Sequence, residues 1–115
     1  MFDFEKLEVY QLGKELNRAV LKFLFSGNGI DPYIKDQWKR SSMGTVLNLA
    51  EGTGRVSDAD KKHFFTMARG SVFECVTLLQ LVYDLGQIEE EQYNDFYSRY
   101  EKLSKMLLGM YRSKL

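Results

Sequence analysis

The chain is predicted to be all-α, an antiparallel up-down-up-down four-helix bundle, on three observations. Apolar residues recur at steps of three and four in four long segments, with no alternation of the kind a strand needs. The punctuating glycines and the single proline fall between those segments and not within a strand pattern. The connections are short, so sequential helices must run antiparallel. At 115 residues the chain is read as one domain, 1–115.

Helix one is expected from about Asp3 to Phe25, because Val9, Leu12, Leu16, Val20 and Phe23 repeat at helical spacing, with Leu7, Tyr10, Leu21 and Leu24 beside them. The loop "SGNGIDPY" follows. In it Asp31 is a candidate N-cap and Pro32 the first helical residue, where a missing N–H forfeits nothing. Helix two then runs through "QWKRSSMGTVLNLAEG", and Gly52 or Gly54 is expected to end it in the left-handed conformation. Ser57 with Asp60 three residues on marks the start of helix three. Its apolar stripe Phe65, Ala68, Val72, Cys75, Leu79 and Val82 has a second beside it, Met67, Ser71, Leu78, Leu81 and Leu85, which implies two packing partners. Gly86 is the expected stop, and the acidic triplet Glu89, Glu90 and Glu91 opens helix four, whose stripe is Tyr93, Phe96, Tyr100, Leu103, Leu107 and Met110.

Composition narrows the function. Sixteen Lys and Arg balance sixteen Asp and Glu, and the balance persists along the chain, so no segment is built to seek polyanions. The one cysteine, Cys75, has no partner for an internal disulfide, and no signal-peptide pattern opens the chain, so a cytoplasmic location is expected. The apolar stretches, cut by Lys22, Gln80 and Asp84, look shorter than the roughly eighteen residues a membrane span needs. Neither a small-molecule substrate nor a cofactor is suggested. "NLAEGTGR" at 48–55 lacks both the spacing and the strand context of a phosphate-binding loop. His63 is the sole histidine and with one cysteine forms no zinc set. Glu-x-x-His pairs of a di-iron bundle are absent, and Arg55 to His63 is too wide a spacing for a helical ribonuclease pair. No catalytic or metal residue is therefore assigned.

What stands out is the polarity of helix two. Arg40, Gly44, Asn48, Glu51 and Arg55 share a face, with the small Ser41, Ser42 and Thr45 alongside, and Arg69 and Glu74 interrupt the apolar third helix. One reading is an internal network, Glu51 with Arg55 or Arg69, that sets register and helix ends. The other is contact by Arg40, Arg55 and Arg69 with a partner or a nucleic acid. Tyr93, Tyr97, Tyr100 and Tyr111 lie near Arg99, Lys102, Lys105 and Arg112; they suit the core and a subunit boundary better than base stacking.

The same residues carry a resemblance. "FEKLEVYQLGKEL" at 4–16, "QWKRSSMGTVLNLAEGTGR" at 37–55, "MARGSVFE" at 67–74 and the closing "LSKMLLGMYRSKL" resemble the four-helix-bundle proteins encoded in intervening sequences of bacterial 23S ribosomal RNA genes. That family is related to the accessory proteins of diversity-generating retroelements. The resemblance implies a homopentameric ring of bundles. Two departures matter: Val46 stands where the family usually has proline, which implies a straighter helix two, and the chain is neutral where the accessory proteins are strongly basic and bind nucleic acid and a reverse transcriptase. The expected partner is therefore another copy of the chain, in a non-enzymatic scaffold, with nucleic acid or reverse transcriptase as the alternative.

Overall fold

Four stripes at helical spacing become four helices because each can bury its apolar side only against the others. The computed structural model describes residues 1–113. A 3₁₀ turn, Asp3–Lys6, precedes α1 (Glu8–Leu24), α2 (Pro32–Gly54), α3 (Asp58–Asp84) and α4 (Glu90–Ser113), and no strand occurs among the described residues. Each helix packs on its sequence neighbours and α4 returns to α1, closing a bundle of 43 × 25 × 23 Å.

The first helix departs from its expected start. Leu7 is extended at ψ 130°, and it separates the 3₁₀ turn from α1. Two contacts hold the bend: Gln11 Nε2 donates to the Glu5 carbonyl at 3.0 Å, and the Phe4 ring meets Tyr10 edge-on at 4.8 Å. The loop that follows is built as the sequence implies. Gly27 and Gly29 adopt φ of +72° and +80°, Asp31 accepts from the Tyr33 and Ile34 amides, and Pro32 opens α2.

Helix two ends differently from expectation. Neither Gly52 nor Gly54 is left-handed; both remain helical, and the chain leaves through an extended Arg55. Gly52 serves packing instead, because a Cβ there would lie 2.6 Å from Cε1 of the buried Phe65 ring. Gly44 likewise faces Ser71, whose Oγ would be 3.0 Å from an added Cβ. These small residues draw α2 and α3 close together, with Ser41, Ser42 and Thr45 buried between them.

Trp38 is fully buried at the upper end of the core, where Phe23, Trp38 and Phe96 meet edge-to-face at 5.8 to 6.3 Å. Its Nε1 donates to the Tyr100 hydroxyl at 3.0 Å, so the one polar atom of the indole is satisfied. Ser57 caps α3 by accepting from the Asp60 amide, and Gly86 at φ +70° ends it; the Gln87 amide there donates to the Val82 carbonyl and Gly86 to Tyr83.

The stripe Phe65, Ala68, Val72, Cys75, Leu79 and Val82 of α3 is buried. The second stripe is not: Ser71 is buried and Leu78 half-buried, but Met67, Leu81 and Leu85 are 42%, 41% and 54% exposed. The bundle satisfies one stripe with two partners, α2 and α4, and leaves the other outside. A further expectation is corrected here, since α3 is long and apolar enough to cross a membrane by length and composition. Gln80 interrupts it with a neutral side chain, and Asp84 closes it only at the end.

Candidate functional site

The residues singled out from sequence do not converge inside the protein. Glu51 and Arg55 pair at 2.8 Å, but on the surface, with side chains 53% and 41% exposed. Arg55 also lies 4.5 Å from the centroid of Phe64. Arg40 is exposed and pairs with Asp36 at 3.2 Å, one turn earlier. Arg69 is half-buried; its Nε donates to the Ser104 carbonyl at 3.3 Å, and its guanidinium sits 4.8 Å from the Phe73 centroid. Asn48 is half-buried, and the exposed Glu74 accepts from Ser41 Oγ at 3.4 Å. Glu51 and Arg69 thus belong to separate local contacts, because the close α2/α3 packing is filled by serine, threonine and glycine and has no room for ion pairs.

The other candidates are also accounted for locally. Tyr100 is buried beneath Trp38, and Tyr93 is half-buried and stacked on Tyr83 at 4.2 Å, so neither offers a face to a base. Cys75 is buried, with its sulfur 3.9 Å from Ser42 Oγ, and burial pushes its thiol up to about 11. Burial likewise holds the Tyr100 hydroxyl well above its usual range. His63 is exposed, edge-on to Phe64 at 5.3 Å. Among the described residues no three His, Cys, Asp or Glu side chains gather to hold a metal ion.

The structure places its unusual surface elsewhere, on the outward side of α3. Between Phe64 and Tyr83 the only formal charges are Arg69 and Glu74. The residues facing out are Thr66, Met67, Gly70, Phe73, Glu74, Thr77, Gln80 and Leu81, with Glu74 the one exposed charge, and Phe73 is 50% exposed. Beside this face, against α4, run two hollows of about 400 and 440 Å³ that share Arg69 and Phe73 and are walled by Tyr97 above and Tyr111 below. A second apolar feature lies on the outward side of α2, where Met43 and Leu47, one turn apart, are 48% and 62% exposed between Arg40 and Glu51. Sequence reasoning passed over Phe73, Gly70, Met43 and Leu47. The available signal was the run of some twenty residues in α3 with so little charge on the side away from the core.

The fold and its ancestry agree. The model of the 23S rRNA-intervening sequence protein family matches residues 5–109, nearly the whole chain. The chain belongs to the 23S rRNA-intervening sequence protein family. A crystal structure of a protein of unknown function from the S23 ribosomal protein family of Bacteroides thetaiotaomicron VPI-5482 superposes with a TM-score of 0.83. It shares 22% sequence identity, and the alignment covers 90% of this chain and 97% of that one, so the likeness is one of fold. No curated protein matches the chain. Within the matched residues, "NLAEGTGR" lies at the α2/α3 corner, where Gly52 admits Phe65, and "ARGS" lies at the groove, where Arg69 borders Phe73.

Proposed function

We propose that this family member is a non-enzymatic, cytoplasmic scaffold that acts as a homo-oligomer, a ring of bundles five copies in size. The observation that carries the reading is the outward face of α3, some 30 Å of helix with exposed Phe73, Met67 and Leu81 and almost no charge. A solvated helix face in a monomer is normally polar, and apolar patches of this kind mark surfaces that a partner covers. The charges elsewhere argue against a phosphate backbone as that partner. Arg18, Arg40, Arg55 and Arg99 each pair with a carboxylate one turn away, and the net charge is zero.

Native mass by size-exclusion chromatography with light scattering, read at 260 and 280 nm, tests the proposal. A species near five times 13.4 kDa and free of nucleic acid is expected. An assembly that carries nucleic acid would instead favour the accessory-protein reading, with nucleic acid or a reverse transcriptase as partner. A monomer at all concentrations would contradict self-assembly.

A further inference from the structure

The bundle exposes two apolar features that differ in shape. One is a ridge on α2, Met43 and Leu47; the other is the groove between α3 and α4 beside Phe73. We propose that they are the two halves of one interface: the ridge of one copy seats in the groove of the next, at the same height along the bundle axis. The proposal rests on the self-assembly reading above and adds which faces meet.

Charge and direction on the two helices support the pairing. In an up-down-up-down bundle α2 and α4 run the same way. Their levels are tied at the top by the bond from Trp38 to Tyr100. At the bottom Gly52 meets Phe65, which shares a hollow with Leu108 and Tyr111. Arg40 is therefore level with Glu101, and Glu51 with the last turn before Arg112. Both pairs of positions are eleven residues apart, about 16 Å along a helix. Placed side by side without axial shift, the ridge sets Arg40 against Glu101 and Glu51 against Arg112, with Met43 and Leu47 between them facing Phe73. The pairs that Arg40 and Glu51 make within the chain are exposed, and such pairs are worth little, so exchanging partners is cheap.

Two consequences follow from that register. A head-to-tail contact without rise closes into a ring when its rotation divides the full circle, whereas one with a rise grows a filament. A two-fold contact of α3 on α3 would leave Met43 and Leu47 in water.

Complementation of two disabled variants tests the proposal. Leu47→Lys removes the ridge and Phe73→Lys the groove; both positions are at least half exposed, so both chains are expected to keep wild-type helicity by circular dichroism. Each alone is expected to sediment as a monomer of 13.4 kDa, and their equimolar mixture as a dimer of twice that mass, held by the one intact ridge and the one intact groove. The two lysine-bearing ends repel and keep the pair from closing further. A mixture that stays monomeric while the wild type assembles would overturn the pairing, as would a Leu47→Lys chain that assembles like wild type. A monomeric wild type would fail the self-assembly reading itself. Charge reversal gives a second reading independent of the lysines: Arg40→Glu and Glu101→Arg should each weaken assembly at least tenfold, and the double variant should recover it. Loss without recovery would place these residues apart.

Discussion

The outward faces of α1 and α3 belong to the same bundle, yet they are composed differently. On α1 the outward positions are Glu8, Gln11, Lys14, Glu15, Arg18 and Lys22, a solvated face with an ion pair between Arg18 and Glu15. Between Phe64 and Tyr83 of α3 they are Thr66, Met67, Gly70, Phe73, Glu74, Thr77, Gln80 and Leu81, with a single charge among them. Helical periodicity accounts for what both helices bury, but not for this difference. The inward stripe reports the fold of one chain, and the outward composition is where the proposed assembly leaves its mark.

Charging each face in turn separates the two most sharply. Thr77→Lys is expected to reduce the assembly to a monomer, and Lys14→Glu, which changes the charge by two on α1, to leave the mass unchanged; light scattering on the two proteins decides. Inside the bundle the largest loss is expected from Trp38→Ala, about 3–5 kcal/mol in urea denaturation, since a fully buried ring is removed and the Tyr100 hydroxyl loses its donor. Alkaline pH acts on the same core. The Cys75 thiol is raised from 9.0 to about 11, so the unfolded chain releases its proton first. Stability from this group is intact below pH 9 and declines as pH rises from 9 towards 11, by about 2–3 kcal/mol in total. Denaturation midpoints between pH 8 and 10 should show the decline, and Cys75→Ser should flatten its first part. Gly52→Ala should cost about 1–3 kcal/mol by forcing Phe65 aside, visible as a lower melting temperature. Smallest of all is Glu51→Ala. Its pair with Arg55 is half exposed, and a change of about 0.2–1 kcal/mol is expected by the same melt.

Most of the fold is legible in the sequence because its determinants are local: a three-four repeat for each helix, Asp31 and Pro32 for one start, Ser57 for another, Gly86 for a stop. The failures are non-local. The break at Leu7 depends on Phe4 folding back on Tyr10, and the helical conformation of Gly52 depends on a ring in the next helix. Spacing puts Arg40, Gly44, Asn48, Glu51 and Arg55 on one side of α2, but it does not say that Gly44 turns towards Ser71 while Arg40, Glu51 and Arg55 stay at the surface, the last two as a pair. Phe73 escaped notice because one aromatic residue outside a stripe carries no periodic signal. Its meaning depends on Tyr97 and Tyr111 coming alongside from α4.

Self-assembly as proposed covers the outward face of α3 in the working protein. Hydroxyl-radical footprinting read by mass spectrometry measures this at single residues. Within one bundle Phe73 and Phe25 are both well exposed, at 50% and 66%, so an uncovered chain would label them at similar rates. In the native protein Phe73 is expected to be labelled far more slowly than Phe25, and the protection to disappear in the Leu47→Lys variant. Equal labelling of the two rings in the native protein would contradict the assembly.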